Sequence, residues 1–195
     1  MTAKLSLFAS GNGSNFEAIQ QAIVEKRLDA YIAVLVTDQP DCYAVERARK
    51  HNIDIFAFSA KTYSSKETYE TEIVKLLKDK GVELIVLAGY MRIVGNVLME
   101  TFPDRIINIH PSLLPAFPGL HAINQAYQYG VKVFGITIHH VDAGIDTGKI
   151  IEQDAFRIEG GETIEEVEEK IHQLEHKRYP ETIQKIIHTT LCKKK

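Results

Sequence analysis

Only two cysteines occur in the 195 residues, Cys42 and Cys192, far apart and in no CxxC pair. That excludes a disulfide scaffold and a thiolate zinc site, and it fits a reducing cytoplasm with both thiols ordinary rather than nucleophilic. A basic excess is also missing. The 23 Lys and Arg are outnumbered by 26 Asp and Glu, for a formal net charge of −3. Nucleic-acid and membrane surfaces usually demand the opposite balance, so neither partner is expected. The one basic run, Lys193-Lys194-Lys195, reads as a solvated tail. No apolar stretch approaches the roughly 20 residues of a membrane span. The N-terminus runs from a strand-like segment straight into a structured motif, which does not read as a cleaved signal peptide. Among the eight histidines there is no HxH or HExxH spacing, so no metal centre is expected.

What is present is the composition of an ordinary globular protein, 45% hydrophobic and 25% charged. Short apolar runs at residues 5–9, 31–37, 54–58, 84–88 and 106–109 read as strands. Amphipathic runs at 15–26, 44–52 and 66–80 read as helices between them. This alternation predicts an α/β fold, a mostly parallel twisted sheet with helices on both faces and a Rossmann-like N-terminal half. The pattern then changes. A loop with three prolines, Pro111, Pro115 and Pro118, leads to a short helix at 122–129, strand-like runs at 133–141 and 149–156, and an acidic helix from about Thr163. Thr163 and Glu166 form a capping-box pattern, and Pro180 predicts an interruption or bend. With no repeat or linker, residues 1–195 read as one domain with two functional halves, 1–100 and 101–195.

The first strand enters Ser10-Gly11-Asn12-Gly13-Ser14-Asn15 and then a helix. A glycine-rich turn at a helix N-terminus makes an anion site, because free backbone N–H groups and the helix dipole both favour negative charge. Gly11 and Gly13 permit positive φ and close backbone approach, and Ser14 and Asn15 add side-chain donors. Phe16 stands where GxGxxG needs glycine, and there is no Gly-Lys-Ser/Thr. A phosphate monoester therefore fits better than a dinucleotide or a nucleoside triphosphate. The plain alternative is a tight βα turn with Ser14 as N-cap.

A second constellation is Asn108-Ile109-His110-Pro111, at the end of an apolar strand where ligands of open parallel sheets collect. Strand alternation points Asn108 and His110 to one face and Ile109 to the other. An amide beside an imidazole can donate to an oxygen that gains charge when a carbonyl is attacked, and the imidazole can also carry a proton. Taken alone, the pair has an equally good reading as strand-end hydrogen bonding. The turn containing Asp142 and Asp146 follows His139 and His140. Both aspartates suit turns, but if Asp146 reaches His110 its charge favours the imidazolium. His139 and His140 face opposite ways and cannot both enter one site. His121, just after the proline loop, is the better further candidate.

Taken in order, Gly11-Asn-Gly-Ser-Asn15, Ala88-Gly-Tyr-Met-Arg-Ile93, Asn108-Ile-His-Pro-Ser-Leu-Leu-Pro115, Pro118-Gly-Leu-His121 and Asp142-Ala-Gly-Ile-Asp-Thr-Gly148 resemble the phosphoribosylglycinamide formyltransferase family over nearly the whole chain. The resemblance implies the formyltransferase fold and formyl transfer from 10-formyltetrahydrofolate, as co-substrate, to 5-phosphoribosyl-glycinamide in purine biosynthesis, without a metal. It implies that residues 1–100 bind the acceptor's phosphate, at Gly13, Ser14 and Asn15, and that residues 101–195 are the catalytic and folate-binding half. Further acceptor contacts implied are His172, Gln173, Leu174 and Glu175. Lys66, Met91, Arg92, Ile93, Val94, Asn108, Asp142, Ala143, Gly144, Ile145 and Asp146 are implied on the folate side, Lys66 near its glutamate tail. Asn108, His110 and Asp146 would be catalytic. His140 and Ala143 depart from the family's more frequent residues and put only loop detail in question.

Methionyl-tRNA formyltransferase and formyltetrahydrofolate hydrolase share the Asn/His/Asp core. The first normally carries a further nucleic-acid-binding domain and the second a regulatory N-terminal domain, and neither is expected here. A nucleotide-sugar or NAD-binding module would leave Asn108 and His110 unexplained. The partners expected are small molecules, with a monomer or a homodimer both open.

Overall fold

Runs rich in Leu, Val and Ile form the strands because such side chains fit a pleated surface covered on both faces. The computed structural model describes residues 2–191. Cys192, Lys193, Lys194 and Lys195, read above as a thiol and a solvated tail, lie outside the described residues. The elements are β1 (Ala3–Phe8), α1 (Ser14–Val24), β2 (Ala30–Thr37), α2 (Tyr43–Lys50), β3 (Ile55–Ala57), α3 (Lys66–Asp79), β4 (Leu84–Leu87), α4 (Asn96–Thr101), β5 (Ile106–His110), α5 (Ala122–Tyr129), β6 (Val133–His140), β7 (Ile150–Arg157) and α6 (Ile164–Ile186).

The strands form one seven-stranded sheet in the order β3-β2-β1-β4-β5-β6-β7. Its first five members are parallel, while β6 and β7 join antiparallel. The Rossmann-like half and the changed second half are therefore one sheet. Between β1 and β4 the chain direction along the sheet reverses, which opens a crevice at the strands' C-terminal ends.

Each face has its own core. On one, Leu5, Leu7, Val86, Ile107 and Ile109 meet Phe16 and Ile19 of α1 and Val167, Ile171, Tyr179 and Ile183 of α6. On the other, Phe8, Val36, Ile85 and Ile106 meet Tyr69, Ile73 and Leu77 of α3 and Leu98 of α4. The six-residue α4 has no sequence expectation, being too short to show a helical period.

Helix α6 opens with the capping box expected from Thr163 and Glu166: Glu166 N donates to Thr163 Oγ1 at 3.3 Å and Thr163 N to Glu166 Oε2 at 2.8 Å. It runs through Pro180 to Ile186 instead of stopping. Pro180 removes one backbone donor, but Tyr179, Pro180, Thr182 and Ile183 are all buried there. The Tyr179 hydroxyl also donates to the Leu87 carbonyl at 2.8 Å. Packing along the sheet thus carries the helix across its weak point. No helix among the described residues is long and apolar enough to cross a membrane.

Candidate active site

Above the C-terminal ends of β1, β4 and β5 lies one cavity of about 730 Å³. The turn after β1, the segment after β4, the end of β5, the loop before α5, the loop after β6 and one face of α6 all line it.

The β1–α1 turn forms its anion-binding end. Gly13 is the N-cap of α1 with φ 72°, and a Cβ there would stand 2.8 Å from Ala44 Cβ. Glycine is required by both conformation and space. Gly13, not Ser14, therefore caps the helix, and as a glycine it places no side-chain cap on the first-turn N–H groups. Gly11 has ordinary φ and open space around it, so the expected positive φ belongs to Gly13 alone. Arg47 fastens the turn from α2, with Nε donating to the Asn12 carbonyl at 2.9 Å and Nη2 to Asn12 Oδ1 at 3.0 Å.

Asn15 faces the opposite wall. Its Nδ2 donates to Glu175 Oε2 at 3.0 Å, and its Oδ1 is buried without a partner among the described residues. Burial lifts the Glu175 carboxyl to about 7, against the opposing hydrogen bond from Asn15. His172, one turn earlier, also lines the cavity. Gln173 and Leu174 do not: Gln173 bonds Glu169 at 3.3 Å on the exposed side, and Leu174 packs against the core. The helical period brings residues three apart to one wall and turns those between them away.

At the end of β5, Asn108 and His110 face the cavity together, as alternation predicts. His110 Nδ1 lies 3.2 Å from Asp146 Oδ2, and its Nε2 donates to the Phe117 carbonyl at 2.8 Å. Both ring nitrogens thus face oxygens that only accept. Asp146 is drawn inward with φ 54° and accepts from Gly119 N at 2.8 Å. Burial works against its charge. The hydrogen bonds from His139 and Gly119 and the nearby His110 and His139 outweigh that, so the carboxyl sits below the ordinary aspartate range. The loop that brings Phe117 over His110 is tied down by Ser112 Oγ, which donates to the Ala116 carbonyl at 2.6 Å. From β6, Thr137 Oγ1 donates to the Ser112 carbonyl at 2.7 Å.

His139 belongs to the same cluster and was not among the expected site residues. It is 2% exposed, its Nε2 is 3.5 Å from Asp146 Oδ1 and 3.2 Å from Asn108 Nδ2, and its Nδ1 donates to the His140 carbonyl at 2.8 Å. The antiparallel register places it directly opposite Asn108. His140 points away, its Nδ1 buried without a partner among the described residues. With His139 Nε2, His110 Nδ1, Gly119 N and Asn108 Nδ2 (at 3.4 Å), four nitrogens therefore converge on the Asp146 carboxylate.

The remaining expected residues divide. Met91, Arg92, Ile93, Val94, Asp142, Gly144, Ile145 and His121 line the cavity, and Met91, Ile93 and Ile145 leave a largely exposed apolar rim. Asp142 is a turn former as well, its Oδ1 accepting from Gly144 N at 3.0 Å and Thr147 Oγ1 at 2.7 Å. Ala143 and Lys66 lie outside the lining; Lys66 opens α3 beside Glu70 and Gly95. Among the described residues no group of three or more His, Cys, Asp or Glu is arranged to hold a metal ion.

Comparison with known proteins bears on this geometry. The formyl transferase family matches residues 3–183. Phosphoribosylglycinamide formyltransferase of Bacillus subtilis is 51% identical over 184 residues, covering 94% of each chain. The crystal structure of phosphoribosylglycinamide formyltransferase from Bacillus halodurans superposes with a TM-score of 0.92 at 50% identity, over 95% of this chain and 96% of that one. Glycinamide ribonucleotide transformylase 1 from Geobacillus kaustophilus gives a TM-score of 0.93 at 47% identity, over 95% and 99% of the two chains.

Proposed function

The chain belongs to the formyl transferase family, and we propose that it passes the formyl group of 10-formyltetrahydrofolate to the amine of 5-phosphoribosyl-glycinamide. The products are 5-phosphoribosyl-N-formylglycinamide and tetrahydrofolate, and the setting is cytoplasmic purine synthesis from small-molecule substrates. One observation carries the reading: the open helix terminus at Gly13 and the Asn108–His110–Asp146 cluster share a single cavity.

In this reading the acceptor's phosphate sits on the N–H groups of Gly13, Ser14 and Asn15, where the helix dipole favours it. His172 and Glu175 border the rest of the acceptor. That anchoring presents the amine to the formyl carbon, and orientation supplies much of the rate. The folate enters over the rim of Met91, Ile93 and Ile145, with Arg92, Val94, Asp142 and Gly144 around it. Residues 1–100 and 101–195 then keep acceptor and folate roles only in part. Residues 91–94 of the first half serve the folate, and α6 of the second serves the acceptor.

The amine attacks the formyl carbon, forming a C–N bond and a tetrahedral oxyanion. Asn108 Nδ2 and the His110 ring donate to that oxygen, Asn108 giving up its long 3.4 Å contact to Asp146 and His110 Nε2 its hydrogen bond to the Phe117 carbonyl. Collapse breaks the bond to N10 of the folate, which takes a proton as the attacking nitrogen loses one. His110 moves that proton, with Asp146 holding the positive ring.

Incubation with both substrates, following release of tetrahydrofolate, tests the reading. Acceptor-dependent turnover supports it; folate deformylated at the same rate without acceptor overturns it.

A further inference from the structure

Between the two ligand-binding loops lies a short chain of hydrogen bonds that no catalytic step uses. Ser10 begins the anion turn. Its backbone N–H donates to the Gly89 carbonyl at 3.0 Å, and its Oγ accepts from Met91 N at 2.9 Å. The same hydroxyl donates to Asp38 Oδ1 at 2.6 Å. A serine hydroxyl has one proton, so commitment of that proton to Asp38 leaves a lone pair for Met91. Each bond polarises the next.

Asp38, just past the end of β2, has a side chain only 4% exposed. Its other oxygen, Oδ2, accepts from Gln39 Nε2 at 3.3 Å and lies 3.7 Å from Arg92 Nη1. Arg92 lies over the Tyr69 ring, its guanidinium carbon 5.6 Å from the centroid, and so is held from two sides. Tyr90, half-buried edge-on against Phe8, has its phenol pushed upward, first by burial and then by the Asp38 charge. One carboxylate therefore anchors the start of the anion turn through Ser10. It anchors the segment of Met91 and Arg92 both through Ser10 and directly.

We propose that Ser10 and Asp38 are positioning residues that set the acceptor-phosphate loop and the folate loop together, so that a disturbance of the joint weakens both ligands at once. This rests on the substrate reading above. Neither residue touches the reacting atoms; each acts through the backbone of the loops it joins.

The test is calorimetric binding of 5-phosphoribosyl-glycinamide alone and of tetrahydrofolate alone to the intact chain, so that no turnover is needed. Removal of one hydrogen bond of this kind is worth about threefold to tenfold in affinity. Ser10→Ala is expected to raise both dissociation constants by that factor, and Ser10→Thr, which keeps the hydroxyl, to restore them. Asp38→Asn keeps an acceptor for Ser10 but drops the charge facing Arg92, so it is expected to weaken tetrahydrofolate more than the acceptor. Weakening of a single ligand in Ser10→Ala overturns the proposal. So does a lower melting temperature with both affinities intact, which is what a merely structural role produces. If Ser10→Ala does not fold, Asp38→Asn carries the test, and unchanged tetrahydrofolate affinity in it overturns the joint. A wild-type chain that binds neither ligand overturns the substrate reading itself, and the joint with it.

Discussion

Asn15 and Glu175, 160 residues apart in sequence, meet side chain to side chain at 3.0 Å across the acceptor end of the cavity. The pairing joins the first turn of α1 to the middle of α6, and it puts a buried carboxyl beside a proposed phosphate site.

The pH dependence of stability follows from that burial. Glu175 in the folded chain titrates at about 7, above the ordinary 4.5. The folded state therefore binds the extra proton between those values, and stability falls as pH rises through that window. Glu175→Gln is expected to flatten the decline, with a melting temperature equal to or above the parent's at pH 8. Melting curves from pH 4 to 8 check it. The acceptor KM of the parent should also change more between pH 6 and 8 than that of the variant, which keeps only the dependence of the substrate's own phosphate and amine.

His110→Ala should lower kcat by at least about a hundredfold, the usual cost of an oxyanion donor, with both KM values little changed. Steady-state kinetics decide; near-normal turnover would remove His110 from the mechanism.

Asp146→Asn removes the charge 3.2 Å from His110. A loss in kcat of about tenfold or more is expected, since the positive ring loses its counter-ion. Stability adds a separate sign. A carboxyl held below its ordinary 3.8 stabilises the fold above that pH and ceases to as pH falls through the lowered value. The variant's melting temperature should thus drop less between pH 5 and 3 than the parent's.

At the anion turn, Ser14→Ala should raise the acceptor KM and leave the folate KM alone. Gly13→Ala adds a Cβ at φ 72° and 2.8 Å from Ala44 Cβ. It should destabilise the chain by about 1–3 kcal/mol and raise the acceptor KM further. Denaturant melts and paired KM measurements check both, and an effect confined to the folate would reverse the assignment of the two ends.

Much of this was legible in the residues before any coordinates. Strand alternation put Asn108 and His110 on one face, and the glycine turn announced a helix terminus open to an anion. The capping box at Thr163 marked the start of α6. Less legible was anything that depends on register between distant segments. His139 enters the site because antiparallel pairing sets it opposite Asn108, and no local period reveals that. The Asn15–Glu175 contact and the Asp38 anchor need the sheet order. Resemblance groups Gln173 and Leu174 with His172 and Glu175, whereas the 3.6-residue period separates them.

Helix α6 bears on biosynthesis as well as on binding. The anion turn leaves the ribosome long before the residues that complete its wall. Until α6 docks, Phe134, Ile136 and Ile138 of β6 lack part of their cover, and Asn15 lacks its carboxyl partner. A nascent chain halted before residue 164 would carry the catalytic strand, yet present an uncovered apolar face to chaperones instead of a site to a substrate.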